Sequence, residues 1–392
     1  MPERILDIHA LTPLLLRDGR PFSATGDEAR ALSLPSPLPG TLAGFVRTQV
    51  GRAAGWNWHD HDALKAAHDI PVHSSLLFRD GVPMLPAPRN AVIDRAGKVW
   101  RTAPRELLEG EGCDLPEEMR PLDFVGEQPD DFKPERGYAY WPAEALTAWL
   151  LNQTPSTPGK ISGLPLEERT HVAIDPQTGM AEDGQLFSVS YRSFEDRTVK
   201  PGQADSIIPE HQHHIWTLRI RANLPDSAPE TSTGHLGGER RPATLKVLAD
   251  SSANWFRMSS ELKAALLDQT NTRLCMVLTT PALFDDGWKP GWLSRDAGPQ
   301  LPAGLSAIRP HLKLMGAAVG RREAASGWSL RENMPRSVRW MVPAGSVYFF
   351  EVSNNAPVNA REKLLEAWLR PLSDKQADQK DGYGCAAWGI WK

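Results

Sequence analysis

Apolar and polar positions alternate from the first residues: Leu6, Ile8 and Ala10 fall on one side and Asp7 and His9 on the other, which predicts a strand over Arg4 to Leu11. Leu14-Leu15-Leu16 then runs into a tight turn, Arg17-Asp18-Gly19-Arg20-Pro21-Phe22. The proline-rich approach Leu34 to Gly40 feeds a helix in which Leu42, Phe45, Val46 and Val50 recur at helical spacing, with Thr41 as the expected N-cap. Pro142 opens another helix, whose buried face is Leu146, Trp149 and Leu150. Arg169 to Ile174 and Gln185 to Phe194 predict the two strands of a long hairpin, joined by the turn residues Asp175-Pro176-Gln177-Thr178-Gly179.

Near His211 the pattern starts again. Trp216, Leu218 and Ile220 alternate with Thr217, Arg219 and Arg221, giving a strand with one apolar and one basic face. Asn223 to Gly234 reads as a polar linker. Strands follow at Leu274 to Leu278 and Ser346 to Val352, then a helix from Asn359 to Leu369. A glycine loop, Gly382-Tyr383-Gly384, leads to a last short strand. Strands interleaved with few helices in each half predict an α+β chain of two domains, 1–212 and 213–392, with the hairpin (about 165–195) inserted in the first.

Composition narrows the class. At 392 residues, with 41% hydrophobic side chains, the chain can bury a sizeable core. No apolar run reaches the roughly 18 residues of a membrane helix, and the acidic residues Glu3 and Asp7 do not fit a secretion signal. A cytoplasmic protein is expected. Cys113, Cys275 and Cys385 are odd in number and widely spaced, which argues against both a disulfide framework and a zinc site. The net charge of −4 argues against a free-standing nucleic-acid binder, although local basic patches can still hold RNA.

Four clusters carry candidate chemistry. Gly40 and Gly44 at a helix start, with Arg47 in the next turns, make an anion site or simply a tight packing contact. Gly237-Gly238-Glu239-Arg240-Arg241 allows backbone approach to a phosphate that Arg240 and Arg241 would bind, and a structural role is equally open. Gly382 and Gly384 would let the main chain bend beside an RNA backbone, or turn a final strand back to its sheet. Arg169, His171 and Arg192 on the hairpin would grip RNA, or in a nuclease would enlist His171 as general base. The run His211-Gln212-His213-His214 has no matching ligand group nearby, so it reads as a solvated approach to a strand.

Taken in order, several stretches resemble one family, the third subunit of the Cmr (type III-B) CRISPR effector complexes in the RAMP superfamily. They are Leu16 to Phe22, Leu34 to Thr48, Glu168 to Phe187, Gly237 to Arg241, Thr280 to Phe284 with Gly287-Trp288, Pro343 to Tyr348, and the terminal Gly-Tyr-Gly loop. The resemblance implies two ferredoxin-like, RNA-recognition-motif-like domains with inserted loops and a protruding hairpin. It implies a non-catalytic, cofactor-free subunit that binds the repeat-derived 5′ tag of CRISPR RNA. Its partners would be the large polymerase-like subunit and the backbone RAMP subunit. Carried over by position, Arg17 and Arg20 approach the tag-side loop of Gly382 and Gly384. Gly40, Gly44 and Arg47 line the first domain's helix start, and Arg169, His171 and Arg192 belong to the hairpin. The alternatives are a CRISPR-RNA processing endoribonuclease of the same superfamily, the equivalent type III-A subunit, and a purely protein-binding bridge. Glu106 to Asp131 match nothing in the family.

Overall fold

A computed structural model describes the whole chain except residues 18–29, 117, 128–131, 201–209, 250–254, 295–303 and 330–333. The fold is a mixed α/β arrangement of several antiparallel sheets and few helices.

The largest sheet has eight strands, and four of them form its centre in the order Pro242–Leu248, Glu3–Ala10, His211–Asn223, Val72–Arg79, each antiparallel to its neighbours. Numbered along the chain, this order is 4-1-3-2. The register sets Leu6 opposite Ile220 and Ile8 opposite Leu218. These side chains therefore share a face, which is buried with Leu42, Phe45, Val46 and Val50 of the helix Pro39–Ala53. Full burial of such a side chain stabilises by about 1.5–3 kcal/mol. Ile5, Leu76 and Phe78 on the other face join the core of the second half, so both faces of the sheet are covered. The helix begins one turn earlier than Thr41 predicts. Leu38 takes the N-cap position without a side-chain bond, because Pro39 presets the first helical φ and Thr41 N–H already donates to Leu38 O at 2.9 Å.

The second sheet has the same order read from its other end: Leu312–Ala318, Val347–Val352, Arg273–Leu278, Ala386–Ile390. Its crossover helix, Val358–Leu364, lies between the third and fourth strands, whereas the helix of the first sheet lies between the first and second. Tyr348, Phe349, Phe350 and Trp388 fill this core.

The expected boundary at 212/213 does not match this topology. The alternating pattern near His211 is not the start of a second unit but the return of the chain to the first sheet, which continues to Leu248. Everything between Arg79 and His211 is inserted between the second and third central strands. That insertion holds the helix Ala143–Leu150, the hairpin Leu166–Ile174 with Ala181–Arg192, and a small sheet of Ala91–Ile93, Val99–Pro104 and Leu122–Phe124. The unmatched middle segment braces the second half: Arg120 N–H donates to Met315 O at 2.7 Å, and Met119 enters its core.

The basic face predicted for the returning strand is neutralised. Arg219 pairs with Asp7 at 3.3 Å and Arg221 with Glu3, which also takes Arg370 at 2.6 Å. In the histidine run, His214 is satisfied by Asp80 at 2.5 Å and Thr198 at 2.9 Å. Among the described residues no group of three or more metal-ligating side chains occurs, and no helix is long and apolar enough to cross a membrane.

Candidate nucleic-acid interface

The long hairpin divides its side chains by parity. On one face, Phe187 lies opposite His171, Val189 opposite Arg169, and Tyr191 opposite Glu167. Val189 and Tyr191 pack with Leu15 and Ala31 in a small core of their own. That core fixes the hairpin base and orients the charged groups beside it. The His171 ring stacks on Phe187 with centroids 5.4 Å apart. The Arg169 guanidinium lies 5.1 Å from the Tyr191 ring centre, and the Arg241 guanidinium lies 4.4 Å from it.

Arg241 reaches this face from a different part of the chain. Gly238 N–H donates to Leu15 O at 2.8 Å, and Gly237 adopts φ +77° where a Cβ would meet that same oxygen at 2.5 Å. The close approach admits only glycine there. Gly238 to Arg241 then turns back on itself, with Arg241 N–H facing Gly238 O at 3.4 Å and both central residues left-handed, Glu239 at φ +55° and Arg240 at +49°. This is the pattern of a type I′ turn, where Asn-Gly is the unstrained choice. Placing Glu and Arg there costs about 1 kcal/mol or more each. Glu239 accepts from the Tyr191 hydroxyl and from Arg241, each at 2.8 Å. Burial raises the Glu239 carboxyl's pKa, but those two bonds outweigh it and hold the group below the usual range. Arg240 is exposed and forms no side-chain hydrogen bond or ion pair among the described residues. Two buried nitrogens in the same cluster, His171 Nε2 and Arg241 Nε, lack a partner among the described residues.

The hairpin base is tied to the first strand's extension. Leu14 bridges Arg192 and Leu15 bridges Gly238, while Arg17 bridges Ser33. Arg17 is exposed at this edge. The Arg192 side chain instead turns inward and donates to the carbonyls of Leu34, Leu164 and Ser33 at 2.9, 2.9 and 3.3 Å. It positions the hairpin. Arg20 lies outside the described residues.

The other expected site also assembles, but around a partner from this chain. At the helix start, a Cβ on Gly40 would stand 3.1 Å from Tyr383 Oη and 3.6 Å from Asp381 Oδ2. Arg47 is 7% exposed; it donates to Asp381 at 2.5 Å, to Ile70 O at 3.0 and 3.1 Å, and to Lys380 O at 3.0 Å. The anion at this helix start is therefore the Asp381 carboxylate. Gly382 (φ +90°) and Gly384 (φ +80°) answer to packing, since a Cβ would lie 2.8 Å from Val72 O in one case and from Ser373 N in the other. Burial raises the Tyr383 hydroxyl to about 12, against the Gly40 N–H bond that lowers it. Only Gly44 is exposed, with open space around it. So Arg169, His171, Arg240 and Arg241 gather with Arg17 nearby, whereas Gly40, Arg47, Gly382 and Gly384 join the two halves. Sequence reasoning missed Tyr191, the hub of the first group. Its signal was an aromatic residue alternating in phase with Phe187 on a charged hairpin.

A family model described as a CRISPR-associated protein, Cas_Cmr3, matches residues 6–391. Among solved structures, a chain of the type III-B Cmr-beta bound to cognate target RNA is 14% identical, with 97% of this chain and 95% of that one covered, at a TM-score of 0.45. A chain of the same assembly bound to cognate target RNA and AMPPnP is 13% identical over 88% and 86%, at 0.44. No curated protein matches the sequence.

Proposed function

The chain belongs to the Cmr3 family, a subunit of type III-B CRISPR effector complexes, and from that premise we propose that it holds the repeat-derived 5′ tag of the guide RNA through the inner face of its long hairpin. The reading rests on one observation: Arg169 and Arg241, distant in sequence, converge on buried Tyr191, with His171 stacked on Phe187 along the same hairpin face, beside a strained turn that leaves Arg240 unpaired and exposed. Arg240 and Arg17, both exposed, would bind phosphates. Two ferredoxin-like units supply the scaffold in this reading, supported by the 4-1-3-2 order of both sheets. The subunit would sit between the large polymerase-like subunit and the backbone subunit.

A non-catalytic role fits the same geometry better than an endoribonuclease does. A general base must reach the proton it removes, yet His171 Nε2 is buried and the Tyr191 hydroxyl is already committed to Glu239.

The test is ultraviolet crosslinking of the reconstituted complex with guide RNA labelled in its 5′ tag. Crosslinked peptides from Leu166–Arg192 or Gly238–Arg241 are expected, and the double change Arg240→Glu, Arg241→Glu should weaken tag retention at least tenfold. Tag crosslinks confined to neighbouring subunits would make the protein a structural bridge. A defined cut in repeat RNA, lost in His171→Ala, would make it an enzyme.

A further inference from the structure

The two-stranded ladder of Glu323–Ala325 with Arg339–Met341 belongs to the second half and shares no residue with the hairpin site. Its register pairs Ala324 with Trp340 and places Glu323 and Ala325 opposite Met341 and Arg339. Inward, Ala325 and Met341 pack with Leu38, Leu283 and Tyr383. Arg339 anchors the strand through a two-point bond to Asp378 at 2.8 and 2.9 Å. Everything the ladder needs for its own stability is on that inner side.

Trp340 points the other way and is 51% exposed. Its cross-strand neighbour is only an alanine, so little side chain covers the indole from that position. The Arg322 guanidinium lies 4.2 Å from the ring centroid. Arg321 and Arg336 are exposed as well, and neither forms a side-chain hydrogen bond or ion pair among the described residues. Arg336 N–H donates to Gly327 O at 2.7 Å, which sets Arg336 at the far end of the ladder from Arg321 and Arg322. Arg321 and Arg322 thus stand at one end of the ladder and Arg336 beyond the other. The ladder's acidic side chain, Glu323, faces inward, where burial pushes its pKa up against the influence of Arg89. In a chain of net charge −4, this is a local concentration of unneutralised guanidinium around an exposed aromatic plane.

We propose that this face is a stacking platform for unpaired RNA, in which one nucleobase lies on the Trp340 indole and Arg321, Arg322 and Arg336 bind the adjoining phosphates. A protein partner fits less well, because the core of a protein interface is depleted of charge around its aromatic anchors, whereas here Arg322 lies on the indole, Arg321 is exposed next to it, and Val338, just before the same strand, is the exposed apolar neighbour. The platform requires only a single-stranded segment and does not depend on the hairpin holding the tag.

The experiment is fluorescence anisotropy of the full-length chain with fluorescein-labelled oligouridine over a range of salt. Trp340→Ala should weaken binding about tenfold, and Trp340→Phe should keep most of the affinity. Changing Arg321 and Arg336 together to Gln should lower the salt slope by about 1.4, at ~0.7 per lost phosphate contact. Parental affinity in Trp340→Ala would overturn the platform. Unchanged RNA binding with loss of association to neighbouring subunits would also overturn it, by making the face a protein interface. Arg240→Glu, measured alongside, separates the two readings: if the hairpin reading fails, Arg240→Glu binds normally while the Trp340→Ala loss remains.

Discussion

Arg47 illustrates how a side chain with the chemistry of a phosphate ligand is used up by its own fold. Its guanidinium joins Ile70, Lys380 and Asp381, and removing one member of such a buried pair leaves an uncompensated charge. Arg47→Ala should therefore destabilise the protein by about 3 kcal/mol in urea unfolding. At a temperature where the variant remains folded, its RNA affinity should equal that of the parent. A large loss of RNA binding without loss of stability would return Arg47 to the RNA site. This role was hidden from the sequence for a simple reason. Gly40 and Arg47 advertise a helix-start anion site, but the carboxylate that fills it lies more than three hundred positions along the chain, and local spacing carries no information about that contact.

At the scale of elements, the reading of the hairpin from alternation held. Leu166–Ile174 contains the first predicted strand, Ala181–Arg192 ends two residues before the predicted end of the second at Phe194, and the turn falls at Asp175 to Gly179. The helix at Ala143–Leu150 is legible from its one-sided apolar face, whereas the strands Arg273–Leu278, Val347–Val352 and Ala386–Ile390 are buried on both faces and are legible as short continuous apolar runs. The Gly238–Arg241 turn was legible only as a glycine-arginine cluster, because the left-handed backbone at Glu239 and Arg240 breaks the local preference that sequence reading relies on. That strain carries its own prediction. Arg240→Gly should raise stability by about 1 kcal/mol, seen as a higher midpoint in urea, while weakening tag retention. If Arg240→Gly lowers stability instead, Arg240 is held by contacts that support the fold, and the functional account of the strain is lost.

For the whole molecule, the two halves are held by charged contacts as well as by apolar burial. Glu3 on the first strand takes both Arg221 and Arg370, and Lys380 reaches Asp69 at 2.7 Å. Burial raises the pKa of the Glu3 carboxyl, but the hydrogen bonds and charges of Arg221 and Arg370 outweigh it and bring the folded value below 4.5. A carboxyl depressed in the folded state contributes stability that is fully present above its unfolded value and lost as pH falls through its folded one. Acid titration of unfolding should show this loss below about pH 4.5, and Glu3→Gln should flatten that part of the curve while being less stable than the parent at pH 7. Parallel curves for the two proteins would mean that Glu3 titrates alike in both states. The return of the chain to the first sheet at His211 was not visible in the sequence, since an insertion placed between adjacent strands looks the same as a fresh start when only the alternating pattern is read.

That insertion also governs the order in which the protein can be made. Glu3 lies in register with Asn223 and Ile5 with Leu248, so the first strand has no strand neighbour until the ribosome has released the chain beyond Asn223, and its second edge stays open until Leu248. At about 5–20 residues per second, both of its backbone edges are paired only after roughly 10 to 50 seconds, whereas the helix Pro39–Ala53 can cover Leu6 and Ile8 much earlier. During synthesis, the open edges of the first strand and the Ile5 side of it are a target for chaperones before they are part of a sheet.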